Sequence, residues 1–142
     1  MADVRTRRDT HLNRVRAAKR PETGTHALDV VDAIGNVLTP DTTLVIDGGN
    51  IGQWAHQILC DRYPGHWLTC GASGVVGYGI PGAMAARLLD PDRPIILLSG
   101  DGASTFTIAD LESATRQKLP FVMIVADDEA WGITLSGHEK RF

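Results

Sequence analysis

The sequence predicts a doubly wound α/β fold, in which helices cover both faces of a parallel β-sheet. Four short apolar runs are typical of buried strands, and they span residues 42–47, 66–70, 94–99 and 121–126. Stretches of helical character separate these runs, and strands that alternate with helices form parallel sheets with right-handed crossovers. Glycine or acidic residues follow each run. Because sheets of this class bind ligands at that edge, the sequence also predicts where a site would lie.

The first helix and strand provide core packing and then a glycine turn. Apolar residues at helical spacing predict a helix that ends before Pro40, and they are Ala27, Val30, Val31, Ile34, Val37 and Leu38. The strand at 42–47 leads into Gly48-Gly49-Asn50, and a helix is expected from Gln53 to Cys60. A glycine turn before a helix favours anions, because backbone N–H groups and the helix dipole both attract phosphate. Many such turns bind nothing, so this turn alone leaves function open.

A second glycine-rich segment follows the strand at 66–70. It runs from Gly71 to Pro81 and contains four glycines, after which residues 81–89 are apolar and alanine-rich enough to form a helix. One interpretation is a loop that lets a ligand approach the backbone closely. The other is that small residues pack a helix tightly against the sheet. Both interpretations stay open on the residues alone.

The third segment carries two carboxylates at the ends of successive strands. The run at 94–99 ends at Gly100-Asp101-Gly102, and glycines beside an aspartate permit close approach of a ligand. Thr107 and Asp110 resemble a capping box for a helix, and the strand at 121–126 ends at Asp127-Asp128. Carboxylate oxygens are ligands that Mg²⁺ prefers. The alternative is that these acids occupy an ordinary solvated turn.

The 27-residue interval from Asp101 to Asp128 matches a known motif, GDG followed by an Asn-Asn pair, that binds thiamine diphosphate. Together with the loops at 47–55 and 71–81, it makes residues 27–137 resemble the diphosphate-binding domain of thiamine-diphosphate enzymes. The resemblance is to the acetolactate-synthase-like and 2-hydroxyacyl-CoA-lyase-like branch. It implies the thiamine-diphosphate-binding fold, whose further helices and strands would continue beyond Phe142.

The resemblance also implies a role for particular residues. A Mg²⁺ ion that bridges the diphosphate would be held by Asp101, Asp128 and the carbonyl of Ala130. The diphosphate would contact Gly49, Asn50, Ile51, Gly102 and Ala103, the Gly74 carbonyl would meet the aminopyrimidine, and Val76 would lie beneath the bend between the two rings. The chain departs from the family at Asp127-Asp128, because an acidic pair replaces two amides and adds negative charge near the metal.

For function, the resemblance implies an enzyme subunit with no catalytic residue of its own. In the family, a glutamate from a pyrimidine-binding domain of another subunit activates the cofactor. We therefore expect a hetero-oligomer that cleaves or forms C–C bonds in 2-keto or 2-hydroxyacyl(-CoA) substrates, as a lyase, decarboxylase or carboligase. The chain is then either a naturally split small subunit or a fragment, and Met1 followed by a basic arm favours the split subunit.

Two other functions remain as alternatives. A non-catalytic regulatory or binding subunit would keep the fold but lose the cofactor through the change at Asp127-Asp128. A different phosphate-binding α/β module is the second, and it is disfavoured because the chain lacks GxxxxGK[ST] and has no GxGxxG after its first strand. Side chains near the turn add open questions: Glu129, Trp131, Ile133 and Trp54 either shape the pocket or pack, and His138 either transfers protons or is solvated.

Length and charge set the remaining expectations. With 142 residues, 43% of them hydrophobic, the chain is one domain at 25–142 preceded by an arm at 1–24. Seven basic and two acidic residues in the first twenty give this arm a balance of +5, which suits an arm that packs on a neighbouring subunit or is partly disordered or, alternatively, a transit peptide. A net charge of −3 and no long apolar run argue against nucleic acid and membrane partners. Cys60 and Cys70 form no CxxC motif, which fits a reduced, cytoplasmic setting.

Overall fold

Four parallel strands form the sheet, in the order β2-β1-β3-β4. The computed structural model describes residues 2–17, 23–59 and 65–140. The strands are β1 (Thr43–Ile46), β2 (Trp67–Thr69), β3 (Ile95–Gly100) and β4 (Val122–Ala126). Each lies within a predicted apolar run or overlaps it by all but one residue, and all three pairings are parallel. The predicted α/β class with a parallel sheet is therefore confirmed.

Seven helices accompany the strands in the part of the chain that is described. They are α1 (Ala2–Arg16), α2 (Ala27–Val37), α3 (Asn50–Leu59), α4 (Gly79–Leu89), α5 (Asp101–Thr105), α6 (Asp110–Arg116) and α7 (Gly132–Glu139). None of these helices has the length and apolar character needed to cross a membrane. Cys60, the predicted last residue of the third helix, lies outside the described residues.

The core has two halves, one on each face of the sheet. Leu44 and Ile46 of β1 pack against α2 and α3, whereas Val45, between them, packs against α4. Leu98 and Leu97 of β3 divide in the same way, and all five side chains are buried. Successive side chains on a strand point to opposite faces, so a continuous apolar run is what a sheet covered on both sides requires.

The strand order creates a crevice between β1 and β3. From β1 the chain passes outward to β2, and then returns across to β3 on the other side of β1. The segments that follow β1 and β3 meet closely, since the Gly100 N–H donates to the Gly48 carbonyl at 2.8 Å. Gly49 has a φ of +108°, and a Cβ there would lie 2.9 Å from the Gly100 Cα. This crevice is the position at which open α/β sheets bind ligands.

Local predictions were wrong at two helix starts. The Thr107 hydroxyl does not cap α6, because it donates to the Gly77 carbonyl at 2.8 Å, and α6 begins after Ala109 without a side-chain cap. Helix α3 begins at Asn50 rather than Gln53, so the residue after the glycine turn already belongs to its first turn. In both cases contacts with distant segments outweigh the local signal.

The basic arm forms a helix, α1, that packs on this domain. Leu12 and Val15 rest against the core cluster of α2 and α3, and Arg16 forms an ion pair of 2.7 Å with Asp32 of α2. The sequence did not predict this helix because only two of its apolar residues contact the core, and they are three positions apart. Residues 18–22 of the arm, Pro21 among them, lie outside the residues that the structure describes.

Candidate functional site

A cavity of about 850 Å³ opens at the carboxyl edge of the sheet, between the loops that follow β1, β3 and β4. This volume is within the usual range for small-molecule sites. All ten residues to which the resemblance assigns a cofactor or metal contact line it, namely Gly49, Asn50, Ile51, Gly74, Val76, Asp101, Gly102, Ala103, Asp128 and Ala130. They come from four loops that are far apart in the chain. The fold therefore assembles one site from all of the predicted segments.

The first wall is the glycine turn and the start of α3. Asn50 and Ile51 form the first turn of this ten-residue helix, and the Gly52 N–H donates to the Gly49 carbonyl at 3.1 Å. A Cβ at Gly52 would lie 3.0 Å from the Asp47 carbonyl oxygen, so the turn is tightly closed. The positive end of the α3 dipole thus faces the cavity, which favours an anionic group there.

The second wall carries the two predicted metal ligands. Gly100 pairs with Ala126 in the sheet, so Asp101 follows directly on one strand and Asp128 follows two residues later on its neighbour. No group of three or more His, Cys, Asp or Glu side chains among the described residues is placed to hold a metal ion. Two carboxylates with the Ala130 carbonyl nevertheless suit Mg²⁺, which usually takes few protein oxygens and completes its shell with phosphate and water.

Asp128, where the family has an amide, forms a hydrogen bond with a residue from another loop of the cavity. The Asn50 Nδ2 donates to Asp128 Oδ2 at 3.0 Å, which joins the first turn of α3 to the segment after β4. Gly132 makes room for this bond, because a Cβ there would overlap both the Asn50 amide and the Asp128 carboxylate. The neighbouring Asp127 instead accepts from the Glu129 N–H at 2.9 Å and shapes the turn, in which Glu129 has a φ of +54°.

The second glycine-rich segment combines the two interpretations that the sequence left open. Residues 71–73 form a 3₁₀ turn, and Gly74 has a φ of +62° in an exposed loop. Val76 packs directly over Gly48, where any side chain would meet its Cγ1 at 2.5 Å. Farther on, Gly79 lies against Asp47, and its Cβ would be 2.7 Å from Oδ2. The segment is therefore a ligand-accessible loop at its start and a close-packed helix start at its end.

Tyr78 ties this segment to the sheet. Its hydroxyl lies 2.7 Å from the carbonyl oxygens of both Ile46, the last residue of β1, and Leu68 in β2, and its one proton is shared between these two acceptors. Burial, followed by the nearby charge of Asp47, raises the pKa of the Tyr78 phenol well above its ordinary value of 10.0. The hydroxyl consequently remains a donor at any physiological pH.

Replacing this tyrosine, Tyr78→Phe, should remove part of the alkaline sensitivity of the fold. The folded pKa is above the unfolded one, so the folded chain holds a proton that the unfolded chain releases above pH 10. Stability from this group is complete below pH 10 and declines as the pH rises further. We expect Tyr78→Phe to lose about 1–2 kcal/mol near neutral pH and to show a shallower decline above pH 10, measured by urea unfolding. Parallel declines in both proteins would contradict this assignment.

Aromatic side chains border the cavity at two places. The Trp131 indole lies over Gly102, whose Cβ would be 3.3 Å from the ring, and packs edge-on against Phe106 with centroids 5.7 Å apart. Trp54 packs edge-on against His26 at 5.1 Å. Both tryptophans line the cavity, as does Ile133, so they shape the pocket as well as pack.

Two other predicted candidates lie away from the cavity. Glu129 is exposed in the turn, and His138 is exposed near the end of α7. Neither belongs to the lining of the cavity. The sequence also missed one wall, because Thr25, His26, Ala27 and Val30 at the start of α2 line the cavity too. The His26 Nδ1 caps that helix by accepting from the Leu28 N–H at 3.1 Å, so His26 itself is a signal of the helix start.

The donor chemistry and shape of the cavity fit a divalent cation with a diphosphate ester. Carboxylates, the N-terminus of α3 and several glycine backbones all line it. The sequence-family model described as 'Thiamine pyrophosphate enzyme, C-terminal TPP binding domain' matches residues 47–142. This match is about two thirds of the chain. The chain belongs to this family. The residues that the match includes contain all ten of the predicted site positions.

Relatives of this thiamine-pyrophosphate-binding domain include 2-hydroxyacyl-CoA lyases and acetolactate synthases. A 2-hydroxyacyl-CoA lyase 2 of Danio rerio is 33% identical over 84% of this chain and 19% of its own length. An acetolactate synthase large subunit of Mycobacterium tuberculosis is 32% identical over 76% of the chain and 20% of its own length. The Escherichia coli acetolactate synthase isozyme 1 large subunit is 30% identical over 73% of the chain and 18% of its own length. The chain thus spans about a fifth of the length of these relatives.

Proposed function

We propose that this chain binds the diphosphate end of thiamine diphosphate through Mg²⁺, as one part of an enzyme that cleaves or forms C–C bonds. The observation that carries the proposal is the single cavity that collects all ten predicted residues from four separate loops. Membership of the thiamine-pyrophosphate-binding family supports the choice of cofactor. The names of the relatives suggest 2-keto or 2-hydroxyacyl-CoA compounds as substrates.

Each part of the cavity has a role in this proposal. Asp101, Asp128 and the Ala130 carbonyl hold Mg²⁺ against the diphosphate, while the α3 N-terminus at Asn50 neutralises the remaining phosphate charge. Gly74 and Val76 position the organic rings. Bound in this way, the cofactor supplies a thiazolium carbon nucleophile that reacts with the substrate carbonyl. The residues of this chain bind and orient the cofactor and exclude water from one side of it.

We also propose that a partner polypeptide completes the site. No glutamate among the described residues lines the cavity, so the activating carboxylate of this family would come from a pyrimidine-binding domain outside the described part. Large apolar side chains at or beside the cavity are exposed by roughly half, and they are Val75, Phe106, Trp131 and Ile133. Exposed apolar patches of this kind mark protein interfaces. The chain would accordingly act within a hetero-oligomer and be inactive alone.

Isothermal titration of thiamine diphosphate into the chain, purified with any partner that accompanies it, tests the proposal. We expect saturable binding in the presence of Mg²⁺ and its loss when EDTA removes the metal, because the diphosphate is held mainly through the cation. Inorganic pyrophosphate should compete, since it presents the same anionic group. Absence of binding with Mg²⁺ present would overturn the proposed function.

A non-catalytic subunit remains the second candidate, and the acidic pair at 127–128 is the feature that favours it. In that case the native chain would fail to bind the cofactor, and Asp128→Asn would create affinity. We expect the opposite: the native chain binds, and Asp128→Asn raises the Mg²⁺ concentration needed for half-saturation by about threefold to tenfold. The reason is that a carboxylate attracts the cation more strongly than an amide does.

The matched control is Asp127→Asn, one residue earlier. Its carboxylate accepts from the Glu129 N–H within the turn, and an amide oxygen can accept the same bond. The Mg²⁺ requirement should therefore change less than in Asp128→Asn. Equal effects of the two substitutions would show that net charge, and not ligation by Asp128, sets the metal requirement.

A further inference from the structure

Asp47 is a buried carboxylate for which the proposed function has no use. It follows β1 directly, is 5% exposed, and precedes the glycine turn of the first cofactor loop. We propose that Asp47 is a positioning residue that holds the second cofactor loop, residues 71–77, in a defined place relative to the first. The identity of the ligand between the two loops rests on the proposed function. The anchoring of residues 71–77 by Asp47 is a property of the ligand-free chain.

Both oxygens of Asp47 accept backbone hydrogen bonds. Oδ1 accepts from the Gly48 N–H at 2.7 Å and from the Gly77 N–H at 3.0 Å, while Oδ2 accepts from the Gly79 N–H at 3.0 Å. Two of these donors lie about thirty residues away in sequence, on the other loop. A buried carboxylate is costly unless such bonds satisfy it, so the three donors and the carboxylate stabilise each other.

The position of Asp47 at a helix N-terminus strengthens this anchor. Helix α4 begins at Gly79, and its own N-cap residue, Tyr78, makes no side-chain capping bond. Asp47 therefore acts as the cap of α4 from a different element, and its charge faces the positive end of the helix dipole. Only glycine fits at position 79, because the side chain of Asp47 occupies the space that a Cβ would need.

Three consecutive residues are held at this point. Besides the bonds to Asp47, the Gly77 carbonyl accepts from the Thr107 hydroxyl at 2.8 Å, and the Tyr78 hydroxyl shares its proton between carbonyls of β1 and β2. Residues 71–75 are exposed, whereas Gly77 and Gly79 are buried. The tripeptide 77–79 is thus the fixed end from which the exposed loop extends.

The anchor links the two ends of the cofactor site. Val76, next to the held tripeptide, packs over Gly48, which is next to Asp47. In the proposed function, Gly49 contacts the diphosphate, whereas Gly74 and Val76 contact the rings. A single carboxylate between the two loops consequently sets their spacing, which has to match the length of the cofactor. Loss of the anchor should affect recognition of the rings more than that of the diphosphate.

The test compares amide hydrogen exchange in the ligand-free native chain with that in Asp47→Asn. Asparagine has nearly the same shape, but its NH₂ group replaces one acceptor oxygen and faces an N–H donor. We expect the Gly77 and Gly79 amides to exchange at least tenfold faster, with no change at the Leu97 amide in the central strand β3. Unchanged exchange at Gly77 and Gly79 would overturn the proposal, and faster exchange throughout would show a general loss of stability instead.

A second readout compares the affinities for thiamine diphosphate and for inorganic pyrophosphate. A purely structural role of Asp47 would lower both affinities equally. In Asp47→Asn the affinity for thiamine diphosphate with Mg²⁺ should fall about tenfold, while that for inorganic pyrophosphate with Mg²⁺ should stay within threefold. Equal losses for both ligands would contradict a positioning role toward the rings. If the native chain bound neither ligand, the proposed function would fail, and the exchange result would still decide whether Asp47 anchors the loop.

A second pair of variants covers the case in which Asp47→Asn does not fold. Thr107→Val removes the hydroxyl that holds the Gly77 carbonyl, and Thr107→Ser retains it. Faster exchange at Gly77 in the valine variant, with recovery in the serine variant, would support the anchored tripeptide. Native exchange rates in both variants would contradict it.

Discussion

Asp101→Ala is expected to weaken Mg²⁺-dependent binding of thiamine diphosphate at least a hundredfold, which corresponds to about 2.8 kcal/mol. Asp101 is the first residue of α5, immediately after the central strand β3, and lines the cavity together with Asp128. Alanine removes one of the two carboxylates that the proposal assigns to the cation. The remaining protein oxygens cannot replace it, because Mg²⁺ requires nearly ideal octahedral geometry. Titration calorimetry with and without Mg²⁺ measures this effect.

A matched control separates ligation from loss of charge. Asp92 lies in the exposed turn before β3, so Asp92→Ala removes the same charge at a distance from the cavity. It should leave the affinity unchanged within twofold. Asp101→Ala should also unfold at nearly the native urea concentration, since no core side chain is altered. Its weaker binding would then not result from a loss of folding. Native affinity in Asp101→Ala would remove Asp101 from the metal site.

Gly49→Ala is expected to destabilise the fold by about 3 kcal/mol and to abolish cofactor binding. Two costs add at this position. A φ of +108° is one that residues with a Cβ rarely adopt, and the new Cβ would lie 2.9 Å from the Gly100 Cα. The contact is with backbone, so relief requires β1 and β3 to separate at the crevice. That separation would displace the glycine turn at 48–50 from Asp101. Urea unfolding would measure the loss of stability, and titration would measure the loss of binding.

The control for this substitution is Gly24→Ala. Gly24 also has a positive φ, of +81°, but no atom lies within 4 Å of the position that its Cβ would take. It therefore carries the conformational cost without the overlap, and the loss should be about 1 kcal/mol with cofactor binding intact. A similar loss of stability in the two variants would mean that the close approach of Gly49 to Gly100 is not a constraint on the crevice.

Much of the site could be predicted because its loops carry local signals. Glycines at 48–49, 74–77 and 100–102 mark the points where backbone approaches a ligand or another strand, and the interval from Asp101 to Asp128 is that of one strand–helix–strand unit. These features depend on chain geometry over a few tens of residues. The lining of the cavity includes Gly49, Gly74, Gly100 and Gly102, together with both aspartates.

Where prediction failed, distant contacts were the reason. Thr107 resembled a cap for the helix that follows, yet its hydroxyl binds Gly77, thirty residues earlier. No sequence signal was used to place His26, but the fold brings it beside Trp54 at the cavity. The roles assigned to individual site residues stay predictions until binding is measured.

The sequence by itself determined the α/β class, the strand positions and the cofactor-binding family, because apolar periodicity and motif spacing are properties of contiguous segments. Only the tertiary structure decided how the loops are held together. Asn50 meets Asp128 across 78 residues, and Asp47 reaches Gly77 across 30. Such hydrogen bonds exist only after the strands have taken the order β2-β1-β3-β4, since that order alone brings the ends of β1 and β3 together.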